Sequence, residues 1–301
     1  MKVLFAGASG TLGLALVPQL LAAGHEVVSL SRSGQGPSGT QVVTADVLDR
    51  DALLGALDGL QADAVLHELT ALRSAPTHYR SMRATNTLRI TGTANLVEAA
   101  QLLGASRIVT QSIVFGYGYR TARPTPVTES APFAVPENAP VDAVHEALAS
   151  TESQVRGAGG IALRYGLFYG LDAPSVKAML SRRMLPVTAF DGVIPMIHHE
   201  DAAAATVAAL ERGVAGSAYN IADDTPVSWR RHIETAATAL GSPRPLRVPQ
   251  GLLRVVTPYA AELMTRLDLR VSTELAHREL GWTPRYPSVA EGWAAVSEAP
   301  A

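Results

Sequence analysis

The chain has 301 residues, 47% of them hydrophobic, and a formal net charge of −2. That is long enough for one large domain or two small ones around a substantial core, and it gives no electrostatic basis for binding nucleic acid or a charged membrane. Cysteine is absent, which excludes disulfides, zinc thiolates and cysteine nucleophiles.

Residues 3–6 are a short β-branched and apolar run, and residues 11–23 are apolar at helical spacing up to Gly24. Between them "GASGTLG" sets Gly7, Gly10 and Gly13 three apart. This spacing between a strand and a helix predicts a dinucleotide site. Gly7 permits the tight turn, Gly10 lets the backbone approach a pyrophosphate, and Gly13 lets the helix pack closely on the sheet. Thr11 and Leu12 offer free N–H groups at the helix start, and Ser9 belongs to the same cradle. A plain glycine turn is the competing reading; the flanking strand and helix argue against it.

Residues 27–30 read as the second strand and end in "SLSRSG". NAD-preferring folds place an acid here to hold the ribose 2′-hydroxyl. Ser31 and Arg32 stand there instead, and a guanidinium suits a 2′-phosphate. NADPH is therefore the expected cofactor, with NADH as the alternative; the bland reading of Arg32 is a solvated surface cation. A third strand spans 42–44. Asp46, with Val47 beside it, is placed to hold the adenine, or else caps a helix that opens near Asp49. A fourth strand covers 64–67. A long helical stretch over 76–103 is expected to break near residues 85–86. A fifth strand covers 107–110, and a sixth, at 161–164, follows a helix over 143–155. Strands alternating with helices predict an α/β fold, a doubly wound parallel sheet of Rossmann type. The proline-rich segment 123–140 reads as a long loop, such as a lid, and 252–264 as one apolar core helix.

"GASGTLG", "HELTAL", "ATNTLRITGTANLVEAA", "IVTQSIVFGYG", "ALRYGLFYG", "MIHHEDAAAATVAALE", "SAYNIADDTPVSW" and "ELGWTPRY" together resemble the extended short-chain dehydrogenase/reductase superfamily, the NAD-dependent epimerase/dehydratase group, over essentially the whole chain. The resemblance implies a dinucleotide-binding core over 1–170, to which 196–222 return. It also implies a smaller substrate-binding part, 171–195 and 223–301. It places Leu69 and Thr70 under the nicotinamide ribose and the backbone at Tyr165 against the carboxamide. Tyr117, Phe168 and Tyr169 become candidates for the substrate wall, with a core role as the alternative.

The family's catalytic serine matches Ser112, whose hydroxyl could polarise a carbonyl. Its tyrosine and lysine have no counterpart. Matching Glu152 to the glutamate that follows the lysine puts Leu148 at the lysine and Val144 at the tyrosine. Lys2 and Lys177 are the only lysines, and no tyrosine has a lysine four residues on. A positioned acid or base is worth about 10²–10⁴ in rate, whereas orienting the reactants supplies roughly 7–11 kcal/mol at best, so hydride transfer survives if the proton comes from elsewhere. Water at Ser112, His145, Tyr117, Tyr119 or a phenol of the substrate are the candidate sources. His145 reads more simply as a helix-surface residue. The pair His198–His199 reads as structural, with Asp201 stabilising a helix start; no metal site is expected.

Three functions fit these residues. The first is an NADPH-dependent ketoreductase for an aromatic, polyketide-like ketone, similar to atypical actinobacterial reductases such as the angucyclinone ketoreductase type of simocyclinone biosynthesis. The second is a nucleotide-sugar epimerase or dehydratase, which needs the missing tyrosine. The third is a non-catalytic NADP(H) sensor. A small-molecule ketone is the expected partner and the protein a monomer or homodimer. Glycines interrupt the apolar N-terminus too early for a signal peptide and no apolar run spans a bilayer, so a cytoplasmic location is expected.

Overall fold

The computed structural model describes residues 1–72, 74–119 and 125–298. Its central sheet is built from β1 (Lys2–Ala6), β2 (Glu26–Ser31), β3 (Gln41–Thr44), β4 (Ala64–His67), β5 (Arg107–Ile113) and β6 (Ile161–Tyr165). The short strands β7 (Leu167–Tyr169), β8 (Val193–Ile194) and β9 (Met196–His198) follow, then β10 (Ala218–Ile221) and β11 (Val227–Ser228). The order across the sheet is β10-β6-β5-β4-β1-β2-β3, and every pairing in it is parallel. Chain order reverses between β1 and β4, which is the crevice where this architecture binds ligands.

The helices are α1 (Thr11–Ala22), α2 (Arg50–Leu57), α3 (Arg83–Thr87), α4 (Thr93–Leu102), α5 (Asp142–Gly157) and α6 (Ala173–Ser181). They continue with α7 (His199–Arg212), α8 (Trp229–Ala239), α9 (Gln250–Val256), α10 (Pro258–Thr265), α11 (Glu274–Leu280) and α12 (Val289–Glu298). One core holds Leu16 and Leu20 of α1 with Ala205 and Ala209 of α7 over Phe5 and Leu163. The alanines of α7 let it lie close to the sheet. A second core on the opposite face holds Leu53, Leu96, Ala99 and Val155 over Leu4 and Val65. A third joins Tyr169, Leu180, Ile194, Ile233 and Trp293 in the C-terminal part of the chain.

Two expectations need correction. The stretch expected to break at residues 85–86 instead runs through α3 into a π-helical turn, Leu88–Gly92, and on into α4. Side chains of α5 stabilise that turn: Thr151 donates to the Arg89 carbonyl at 2.8 Å and Gln154 to the Ile90 carbonyl at 3.1 Å. The expected single helix over 252–264 is two, α9 and α10, because Pro258 cannot continue the hydrogen-bond ladder. The division also leaves Leu252 and Val255 of α9 exposed, while Tyr259 and Met264 of α10 are buried. The segment read as a loop over 123–140 partly lies outside the described residues, and residues 125–140 carry no helix or strand. Its described portion is anchored, with Val127 bridging to Val271 and Glu129 accepting from the Asn220 N–H at 2.9 Å.

The turn after β1 sits hard against β4. A Cβ on Gly7 would come within 2.8 Å of the Glu68 backbone, and Gly7 has φ +114°. A Cβ on Gly13 would come within 2.2 Å of the Ala8 carbonyl oxygen. Gly13→Ala is expected to push α1 off the turn and cost on the order of 1–3 kcal/mol; denaturant unfolding measures it. Glu68 is fully buried beside this turn, and its Oε2 has no hydrogen-bond partner. Burial raises its carboxyl from 4.5 to about 8, although the Tyr165 hydroxyl at 3.3 Å acts the other way. Between those two values the unfolded chain releases a proton that the folded chain keeps, so this contribution to stability falls as pH rises, by up to about 1.4 kcal/mol per pH unit. Unfolding of Glu68→Gln between pH 5 and pH 8 should lose that slope relative to the parent chain.

Candidate active site

The glycine turn leads directly into α1. Gly10 is the N-cap and no side chain caps the helix. The first helical hydrogen bond runs from the Leu14 N–H to the Gly10 carbonyl, so the preceding N–H groups lie outside the ladder. Ser9, Gly10 and Thr11 are exposed, Leu12 is half-buried and Gly13 is buried. Uncapped N–H groups at the positive end of the helix, with no side-chain cap, fit a pyrophosphate.

At the end of β2, Ser31 is buried and its Oγ lies 3.1 Å from that of Ser33. Arg32 is exposed and takes part in none of the ion pairs among the described residues. Asp46 uses one oxygen to accept from the Leu48 N–H at 3.0 Å. Asp49, not Asp46, caps α2, accepting from the Ala52 N–H at 3.1 Å. Val47 is buried, and its carbonyl accepts from Asn95 at 2.8 Å. These residues therefore combine local structural bonds with an exposed guanidinium, Arg32, just past the C-terminal end of β2.

Beyond β4, the Leu69 N–H donates to His67 at 3.3 Å and its carbonyl accepts from Gln111 at 2.8 Å. Thr70 is exposed and pairs with Thr85 at 3.3 Å. Gln111 was missed by sequence reasoning, which chose its neighbour Ser112 for its hydroxyl. Successive strand residues face opposite sides, and it is Gln111 that reaches the segment after β4.

Ser112 has another role. It is 3% exposed, and its hydroxyl donates at 2.6 Å to Glu152 of α5. Glu152 forms a buried ion pair with Arg164 at 2.7 Å. Arg164 also donates to the Tyr117 hydroxyl at 2.6 Å and to the Glu129 carbonyl at 3.1 Å. The expected carbonyl-polarising hydroxyl thus has its proton committed to a carboxylate. Tyr117 is likewise withdrawn from the substrate wall, because its hydroxyl donates to Asn220 at 2.8 Å inside the same network.

Tyr169 is 1% exposed and donates to Asp223 at 3.0 Å, which makes it core and not wall. Phe168 remains half-buried and stacks on His199, with ring centroids 5.4 Å apart. The Tyr165 side chain is fully buried between Thr206 at 2.7 Å and Glu68, so only its backbone is available to a ligand. His198 and His199 are buried, and the His199 ring lies 2.6 Å from the Tyr169 carbonyl. The Asp201 carboxylate, in the first turn of α7, accepts the N–H groups of Arg285 and Tyr286 at 2.8 and 2.9 Å, tying down the "TPRY" segment. Among the described residues no group of three acidic or histidine side chains could hold a metal, and no helix is long and apolar enough to cross a membrane.

The positions matched to the missing pair are filled with hydrocarbon. Val144 and Leu148 are buried in one cluster with Met82 and Tyr259 of α10. His145 is buried too, 5% exposed, with its ring 5.8 Å from Tyr119. The expectation of a surface histidine fails because the 125–138 segment and the aromatic turn after β5 fold over α5. Burial lowers the basicity of its imidazole.

Comparison with known proteins agrees with this fold. The model of the NAD dependent epimerase/dehydratase family matches residues 3–222. The chain is 34% identical to a 3-diazoavenalumate denitrifying reductase from a Streptomyces species, covering 97% of this chain and 99% of the relative. It is 28% identical to the 2′-dehydrokanamycin reductase of Streptomyces kanamyceticus, covering 83% of this chain and 70% of that one. In fold it resembles the UDP-glucose 4-epimerase of Thermotoga maritima, with a TM-score of 0.80, 20% identity and coverage of 99% and 98% of the two chains. A parallel sheet with its glycine turn at the strand-order switch, matched over residues 3–222 by the family model, makes the chain a member of the NAD dependent epimerase/dehydratase family and an NAD(P)-dependent oxidoreductase.

Proposed function

We propose that the protein is an NADPH-dependent ketoreductase acting on an aromatic, polyketide-like ketone of angucyclinone type. The observation that carries this reading is the contrast between an open dinucleotide cradle and the buried Val144 and Leu148 where the family's proton-handling pair belongs. The bound cofactor supplies hydride. The chain positions the acceptor, and the substrate's electronic structure must carry more of the reaction than usual. A ketone with a neighbouring phenol does this: its own phenolic proton can pass to the alkoxide as it forms. The exposed, unpaired Arg32 at the end of β2 supports NADPH over NADH. An epimerase is disfavoured, because a reversible oxidation needs the absent base.

A second reading has its own support. The relative that matches almost end to end is named for denitrifying a diazo compound. An aryl diazonium plus hydride gives arene and dinitrogen, and no alkoxide develops, so no acid is needed at Val144.

Deuterated NADPH, labelled at the transferable position, distinguishes these readings. With 8-hydroxy-1-tetralone, deuterium on the carbinol carbon supports the ketone reading. With an ortho-diazophenol, dinitrogen release coupled to NADPH consumption supports the diazo reading. Neither outcome, with NADPH bound, overturns both in favour of a sensor. In the active assay Arg32→Ala should raise the KM for NADPH about 10- to 100-fold and leave that for NADH nearly unchanged.

A further inference from the structure

Two buried glutamates stand in contrast. Glu152 has its cation, Arg164, at 2.7 Å. Glu68 has none among the described residues; it is 6% exposed, and its Oε2 has no hydrogen-bond partner. Its surroundings offer no charge to balance one. α1, which covers this face of the sheet, carries no ionisable side chain. Tyr165 of β6 is the ionisable group that faces Glu68. His67, its neighbour on β4, points to the opposite face and lies 3.0 Å from Thr93. At the start of α7, His199 is held at the Tyr169 carbonyl, Glu200 accepts from the Tyr286 hydroxyl, and Asp201 accepts from the Arg285 and Tyr286 N–H groups.

The hydrogen bonds place a proton on Glu68. Thr206 donates to the Ala202 carbonyl at 2.8 Å. Its oxygen is then the acceptor for the Tyr165 hydroxyl, 2.7 Å away. That leaves the Tyr165 oxygen, and not its proton, facing Glu68 Oε1 at 3.3 Å. Two oxygens bond there only if the carboxyl carries the proton. Tyr165 favours an ionised Glu68 only by turning its proton away from Thr206. Burial acts in the same sense as the proton count and raises the group to about 8.

The place is specific. Glu68 follows the last residue of β4, and its N–H donates to the Ala6 carbonyl at 2.8 Å. A Cβ on Gly7 would lie 3.2 Å from the Glu68 Cβ, so this side chain starts beside the first glycine of the turn. The first turn of α1 packs on that glycine from the other side, since a Cβ on Gly13 would lie 2.7 Å from the Gly7 carbonyl oxygen. Glu68 also shares a face of the sheet with Leu66, two residues back, which packs in the core beneath α1. An ionised Glu68 would draw on the positive potential that the start of α1 offers a pyrophosphate, in an interior that screens charge poorly.

We propose that Glu68 is a determinant of dinucleotide affinity: the glycine turn holds a pyrophosphate tightly while Glu68 is protonated and weakly once it ionises. The inference rests on the cradle alone and on neither substrate reading. Linkage makes the effect reciprocal. A bound dinucleotide strengthens the hold of Glu68 on its proton, so binding near the midpoint of its ionisation takes up a proton from solvent.

The test measures the Kd of NADPH and of NADH from pH 6.5 to pH 9.5, by nicotinamide fluorescence, for the parent chain and Glu68→Gln. The parent Kd should rise as pH passes the ionisation of Glu68, by up to about tenfold per pH unit. NADH, which lacks the 2′-phosphate, should show the same rise. Glu68→Gln should stay flat, close to the parent value at low pH. A second readout uses the parent alone and does not depend on how well the variant folds. Calorimetry of NADPH binding at pH 8 in HEPES and in Tris, whose ionisation enthalpies differ, should show uptake of about half a proton. A Kd independent of pH, binding without proton uptake, or a Glu68→Gln variant that keeps the parent profile overturns the proposal. No binding of either dinucleotide at pH 6.5 overturns the cradle itself and the proposal with it.

Discussion

Arg164 and Glu152 face each other inside the protein, and neither could remain there alone. Leaving one of a buried pair uncompensated costs about 3–5 kcal/mol, so everything that touches the pair is held in register by it. Glu152 belongs to α5, Arg164 to β6, and Ser112 of β5 donates into the same carboxylate. Tyr117 passes the network to Asn220 on β10, and Glu129 brings the segment that covers them. One ion pair therefore fixes the helix that lacks the catalytic residues, the strands beneath it and the segment above it. Arg164 also lies over the rings of Tyr117 and Phe133, 5.0 and 4.6 Å from their centroids, which adds cation–π attraction in a desolvated setting.

With α5 fixed in place, its chemistry is set by what it presents. Val144 and Leu148 present hydrocarbon to Tyr259 and Met82. Such a surface can hold an aromatic ring, but it cannot donate a proton. The tyrosines that lie nearby come from elsewhere in the chain: Tyr119 from the turn after β5 and Tyr259 from α10. They are distant in sequence and meet only because α10 folds back over α5. Opposite them the glycine turn supplies backbone N–H groups and a helix dipole, which bind a pyrophosphate without any charged side chain.

Local signals carried the cofactor half. A glycine three residues from the next glycine, between a β-branched run and an apolar helix, has few other uses, and Gly7, Gly10 and Gly13 lie where that spacing puts them. The parallel sheet followed from alternation of strand and helix and the handedness of their crossovers; its strand order, with β10 at one edge, came only with the tertiary structure. Less regular backbone was not legible. The π-helical turn depends on Thr151 and Gln154, about sixty residues away, capturing two freed carbonyls. The break before Pro258 was written in the sequence, but apolar residues on both sides concealed it.

Side-chain roles separated sharply along the same line. Composition and spacing by themselves determined the α/β class, the dinucleotide cradle and the absence of a tyrosine–lysine pair, since these need only local periodicity, glycine geometry and an inventory of residues. The tertiary structure alone decided that Ser112 gives its proton to Glu152, that Tyr117 and Tyr169 are interior, and that His145 is buried. Each of those outcomes depends on which residue, far away in the chain, arrives opposite it. Pairing energies between distant side chains leave no periodic trace in a sequence; they exist only once the chain has closed around them.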